Sequence, residues 1–239
     1  MTKVTPYNST ETKKKQVTKM FDNIAGSYDF LNHTLSLGMD NIWRKIAIKK
    51  LSNNTATILD IATGTGDFAI SAAKYTNASI TGIDISQGML DIGIKKISKK
   101  GLTDRIQLQL ADSEDLPFQE NSFDGITAGF GVRNFENLNK GLSEIYRTIK
   151  PGGVAVILEP SEPTYFPLKQ LYNLYFHHIL PLIGGIISKD KNAYSYLPDS
   201  VSAFPSGNDF LTELDKVGFK ENKHIPLSFG IVSLYVAIK

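Results

Sequence analysis

Apolar positions along the chain follow two alternating spacings. The runs "ATILDI" (56–61), "SITGID" (79–84), "RIQLQLAD" (105–112), "FDGITAGFG" (123–131) and "VAVILE" (154–159) are short and rich in β-branched residues, and each predicts a buried strand. Between them, "FAISAAKY", "QGMLDIGIKKISKK" and "LNKGLSEIYRTIK" read as helices. Ser86 suits the N-cap of the second helix, and "PGG" closes the third. Upstream, Val17 to Leu51 reads as helical with breaks at Gly26 and Gly38. Downstream come an aromatic-rich segment, Tyr165 to Ile187, and a loop, "KDKNAYSYLPDSVSAFPSG". A helix "NDFLTELDKVG" stopped by Gly218 follows, then two strands about a turn near Ser228 to Gly230.

This order predicts an α/β fold: a doubly wound, Rossmann-like sheet with a helical cover ahead of it and an inserted aromatic-rich helix. A terminal hairpin would add an antiparallel strand, making the sheet mixed. Residues 1–16 are polar and read as a disordered tail, with residues 17–239 as a single domain. The N-terminus lacks the apolar run of a signal peptide. The Tyr165–Ile187 segment is interrupted by Lys169, Gln170, Asn173, His177, His178 and Pro181, so it does not read as a membrane span. The expected setting is cytoplasmic, with contact to the inner face of the cell membrane left open.

Bulk properties exclude several function classes. A net charge of +2 offers no basic field for nucleic acid. Cysteine is absent, which removes disulfides, thiol nucleophiles and thiolate metal sites. The four histidines have no ligand spacing, so no metal is expected.

The chemistry concentrates at "GTGDFA", which fits G-x-G-x-x-A. Gly64 and Gly66 allow close backbone approach to a ligand. Such a turn serves a dinucleotide or S-adenosylmethionine equally well. Asp84, ending the second strand, suits a ribose cis-diol in either case. Asp60, four residues before Gly64, tips the balance toward S-adenosylmethionine, whose sulfonium and amino group tolerate a nearby acid. In "ADSEDLPF", Asp112 could accept from an adenine amine and Ser113 could offer a backbone donor.

The core from about Thr57 to Leu158 resembles the class I S-adenosylmethionine-dependent methyltransferases, which implies a seven-stranded sheet. "YDFLNHTLSLGMDNIW" (28–43), "GFGVRNF", "RTIKPGGVAVILEPS" and "NAYSYLPDSVSAFPSG" narrow this further. They resemble the ubiquinone/menaquinone biosynthesis C-methyltransferase family from Val17 to the C-terminus. The resemblance implies methyl transfer to a ring carbon of a polyprenylated quinol, with demethylmenaquinol as the expected substrate. Its implied cofactor contacts fall on Thr65, Asp84, Asp112 and Ser113. Gly129 stands where some members carry serine, and Leu31 where methionine is common.

Carbon methylation needs an electron-rich ring, so a cation near the quinol oxygen and a proton acceptor are sought. Arg133 is the electrostatic candidate, against a surface pair with Glu136. Asn134 could orient a hydroxyl or cap a helix. Tyr28 could wall the pocket and Asp29 could take a proton, against simple helix packing and capping. His33 as a base and Trp43 as a core anchor complete the set. Membrane contact through the aromatic segment is expected, and homodimerisation is left open. The competing functions are a small-molecule or RNA methyltransferase, an NAD-dependent oxidoreductase and a non-catalytic binding module.

Overall fold

The computed structural model describes residues 4–174 and 191–239, apart from the side chains of residues 35, 173 and 191–195. Two helices come first, α1 (Lys13–Leu35) and α2 (Met39–Ile48). They precede β1 (Thr57–Ile61), α3 (Asp67–Tyr75), β2 (Ser79–Asp84), α4 (Gln87–Lys99) and β3 (Ile106–Leu110). Next are β4 (Phe123–Gly129), a 3₁₀ turn (Val132–Asn134), α5 (Leu138–Thr148) and β5 (Ile149–Pro160). The chain continues through α6 (Leu168–Leu174), α7 (Lys191–Ala203), α8 (Asn208–Val217), β6 (Lys220–Leu227) and β7 (Val232–Ile238).

The seven strands form one sheet in the order β3-β2-β1-β4-β5-β7-β6. Strands β1 to β5 are parallel, and β7 runs antiparallel between β5 and β6. Order reverses at β1, whose neighbours are β2 and β4, so the carboxyl ends of these strands diverge around a crevice. Alternation along β5 supplies both faces of the core. Val154, Val156 and Leu158 pack with α2 and α3, whereas Ala155 and Ile157 pack with α5 and α8. A third cluster, including Val17, Met20, Ile24 and Leu31 of α1 with Met89 and Tyr196, seats α1 over the crevice end of the sheet.

Several boundaries differ from the expectations. Helix α1 begins at Lys13, inside the stretch read as a tail, because Gln16 is buried and bonds Tyr7 N at 2.9 Å. It runs through Gly26 without a break, since Ile24, Ala25 and Leu31 are held by tertiary packing that outweighs glycine's poor helix propensity. The break at Gly38 is present, with φ 75°. Strand β5 starts at Ile149, before "KPGG", with a register shift opposite Phe123 and Gly125. Most of the segment read as a loop after residue 189 is helix α7, with Pro198 inside it. Of the aromatic-rich segment, α6 is described and residues 175–190, which include His177 and His178, lie outside the described residues.

Candidate active site

A cleft of ≈ 640 Å³, counted out to bulk solvent, opens at the crevice beside β1. The β1–α3 turn forms its floor. Ala62, Gly64 and Gly66 all take positive φ there (51°, 57° and 81°). Left-handed backbone at Gly64, with open space where a Cβ would project, leaves a face that a ligand can approach closely.

Asp84 connects this turn to β2. Its two carboxylate oxygens accept from Gly64 N at 2.8 Å and Ser86 N at 2.9 Å, and each oxygen keeps acceptor capacity. Burial pushes its carboxyl above the usual range, while the Ser86 and Gly64 amides pull it back. Asp84, Gly64, Asp112 and Ser113 all line the cleft. Asp112 is already engaged: Lys14 of α1 lies 2.6 Å from its Oδ2, and Glu114 N donates to its Oδ1 at 2.9 Å. Lys14 also meets Glu114 Oε2 at 3.3 Å.

The other expected cofactor residues support the turn from below or outside. Asp60 is fully buried and accepts from Thr63 and Thr127 hydroxyls, each at 2.6 Å. Burial pushes its carboxyl up to about 6, against the pull of those two bonds. Thr65 turns its hydroxyl away, donating to Asp29 Oδ1 and accepting from Lys96 at 3.0 Å. Asp60, Thr65 and Gly66 do not line the cleft, so any effect on a ligand passes through the shape of the turn.

The reaction-side candidates separate. Tyr28 lines the cleft and packs edge-on against Phe21 at 6.0 Å. Its phenol is raised by burial, with Asn32 and Arg133 acting in the opposite sense. Asp29, expected to face the pocket one residue on, does not. It pairs with Lys96 at 2.5 Å, because neighbouring positions on a helix point about 100° apart. Lys96 also binds Asp67 at 2.7 Å, tying α1, α3 and α4 together. His33 is largely exposed and sits 3.2 Å from Asp40 rather than in the cleft. Trp43 is a buried anchor as expected, donating to Ser228 Oγ at 2.8 Å and meeting Phe130 edge-on.

Arg133 is buried and pairs with Glu159, not with Glu136. Its Nη1 lies 2.9 Å from Glu159 Oε2 and also bonds the Phe130 carbonyl. Glu159 was not among the expected residues. Its carboxyl is raised by burial, against the opposing pull of Arg133. The field of Arg133 acts on three phenols, favouring the phenolate of Tyr28, Tyr172 and Tyr196 even though burial raises all three. Asn134 lines the cleft; Tyr196 donates to its Oδ1 at 3.1 Å, and its buried Nδ2 has no partner among the described residues. Among the described residues, no cluster of His and acidic side chains could hold a metal.

Known proteins are similar to this chain along nearly its whole length. Demethylmenaquinone methyltransferase of Bacteroides fragilis is 47% identical over 239 residues, covering 99% of this chain and 98% of its own. The ubiquinone/menaquinone biosynthesis C-methyltransferase UbiE of Geotalea daltonii is 47% identical over 230 residues, covering 95% and 97%. A solved SAM-dependent methyltransferase from Thermotoga maritima superposes with TM-score 0.66 over 93% of this chain and 99% of its own, at 19% identity, which speaks to the fold alone. A profile of the ubiE/COQ5 methyltransferase family matches residues 9–239, and with relatives this similar over this length the chain belongs to that family.

Proposed function

We propose that the protein methylates a ring carbon of demethylmenaquinol, giving menaquinol, with S-adenosylmethionine as methyl donor. The observation that carries the reading is the make-up of one cleft. A glycine turn and the Asp84 carboxylate form one side, and Asn134, next to Arg133 and with an Nδ2 that has no partner among the described residues, forms the other.

The residues fit the cofactor. Asp84 offers acceptors to ribose hydroxyls, Gly64 permits close approach, and Asp112 and Ser113 line the region suited to the adenine. When bound, S-adenosylmethionine supplies an electrophilic methyl on a sulfonium. The protein must favour the quinol phenolate, which makes the adjacent carbon nucleophilic. A free phenol titrates near pH 10, so a positive field and a hydrogen-bond donor both help. Arg133 supplies the field, and the Asn134 NH₂, which has no partner among the described residues, would donate to the oxygen. Tyr28 walls the cleft and keeps its own proton. Restoring the aromatic ring after transfer requires the ring carbon to give up its proton; the cleft opens to solvent, which would carry it away.

The prenyl tail needs an apolar route. Tyr165, Phe166, Leu171, Leu174 and Phe229 are all exposed around α6 and the β6–β7 turn, and they support peripheral contact with a membrane surface. Among the described residues, no helix is long and apolar enough to cross a membrane.

The test is methyl transfer by the purified protein to reduced demethylmenaquinone from S-adenosylmethionine, read by mass spectrometry. Mono-methylated quinone is expected. A protein that binds S-adenosylhomocysteine but leaves the quinol unchanged overturns the substrate. Failure to sediment with liposomes, with or without quinol, overturns the membrane contact.

A further inference from the structure

Tyr196 of helix α7 lies 62 residues beyond Asn134 in sequence, yet it reaches the Asn134 carboxamide. Both side chains are buried, with relative exposures of 4% and 8%. A carboxamide has two different ends: an oxygen that accepts and an NH₂ that donates. Here the phenol O–H takes the oxygen at 3.1 Å, which leaves the NH₂ at the opposite end, buried and without a partner among the described residues, on a residue that lines the cleft. Reversing the amide would leave the phenol proton without an acceptor among the described residues, a costly state at a buried position. Burial also pushes the Tyr196 phenol up to about 12, so it remains a donor throughout the neutral range.

We propose that Tyr196 is a positioning residue for methyl transfer: its phenol locks the Asn134 carboxamide with the NH₂ toward the quinol oxygen. This rests on the function proposed above. It means that α7 completes the substrate side of the site, while the cofactor side is built on β1, β2 and the loop after β3. Tyr196 touches neither ligand and acts only through Asn134.

The test uses the full chain with S-adenosylmethionine and a short-tailed reduced demethylmenaquinone. Tyr196→Phe keeps the ring and deletes only the hydroxyl. It is expected to lower kcat about tenfold, the scale of one hydrogen bond, while KM for S-adenosylmethionine stays unchanged. Asn134→Ala should lower kcat at least as much, and the double variant should be no worse than Asn134→Ala alone. A merely structural role would instead raise the cofactor KM or give additive losses. Wild-type kcat in Tyr196→Phe, or additive losses in the double variant, overturns the inference. If Tyr196→Phe fails to fold, wild-type kcat in Asn134→Ala overturns it alone. A wild-type protein that leaves the quinol unmethylated overturns the function and this inference together.

Discussion

Glu159 at the end of β5 accepts Arg133 Nη1 on one oxygen at 2.9 Å and Val132 N on the other at 2.6 Å. One carboxylate therefore shapes the turn after β4 and orients its only cation. Removing one member of a buried pair leaves the other uncompensated, at a cost of about 3–5 kcal/mol. Glu159→Ala and Arg133→Ala are both expected to lower the unfolding free energy measured in urea by that order. Arg133→Lys should retain charge but lose the placement of Nη1 that bonds both Glu159 and the Phe130 carbonyl. Normal turnover in a folded Arg133→Ala protein would sink the electrostatic role.

Asp84 and Thr65 make contrasting predictions for the cofactor. Asp84→Ala removes a carboxylate that both holds Gly64 N and faces the cleft. Hydrogen bonds to a charged group contribute about 1.5–3 kcal/mol, so the Kd for S-adenosylhomocysteine should rise roughly 10–100-fold by calorimetry. Thr65→Ala deletes a hydroxyl bound to Asp29 and Lys96. Its loss should change that Kd several-fold less. Equal effects of the two substitutions would show that the Thr65 hydroxyl reaches the ligand.

Asp124 predicts a pH dependence of stability. It accepts from Lys150 Nζ at 2.6 Å, Thr57 Oγ1 at 2.8 Å, Thr57 N at 2.9 Å and Ala56 N at 3.1 Å, joining β4 to the starts of β1 and β5. The Lys150 bond first, then the Thr57 and Ala56 donors, hold its carboxyl down at about 2. A lowered folded-state value stabilises the protein above the unfolded value of about 4. That contribution, about 2 kcal/mol, is lost as pH falls from about 4 through 2. Urea unfolding of Asp124→Asn should show a shallower loss across that window than wild type.

Gly129 predicts a steric limit. A Cβ there would sit 2.9 Å from Phe68 Cδ1, and Phe68 is buried. Gly129→Ser should cost about 1–3 kcal/mol unless the Phe68 ring moves, since packed cores resist added atoms. Combining it with Phe68→Leu should recover part of the loss in a thermal melt.

Strands β1, β2 and β4 were legible because each is a short run with β-branched residues and a glycine or capping signal at its end. β2 matches its predicted bounds from Ser79 to Asp84, and Ser86 caps α4 by accepting from Met89 N. Strand and cap are short-range facts, written in adjacent residues. Asp84 was legible for the same reason, as the residue that ends a strand beside a glycine turn. Helix α7 was not, because Pro198 and the polar residues around Tyr196 imitate a loop, and its order comes from Tyr196, Val201 and Ser200 being buried.

By itself the sequence determined the strand–helix alternation, the glycine turn and the acid that faces it, since these depend on spacing within a few residues. It also carried the runs that mark the family. Tertiary structure alone decided how the acids and cations pair. Lys14 meets Asp112 across 98 positions, Arg133 meets Glu159 across 26, and Asp29 turns to Lys96 rather than to the cleft. Burial decided the rest, raising the Asp60 and Glu159 carboxyls and leaving Asn134 Nδ2 without a partner among the described residues. Desolvation and long-range pairing depend on which surfaces meet, and that is settled only when the helices close over the sheet.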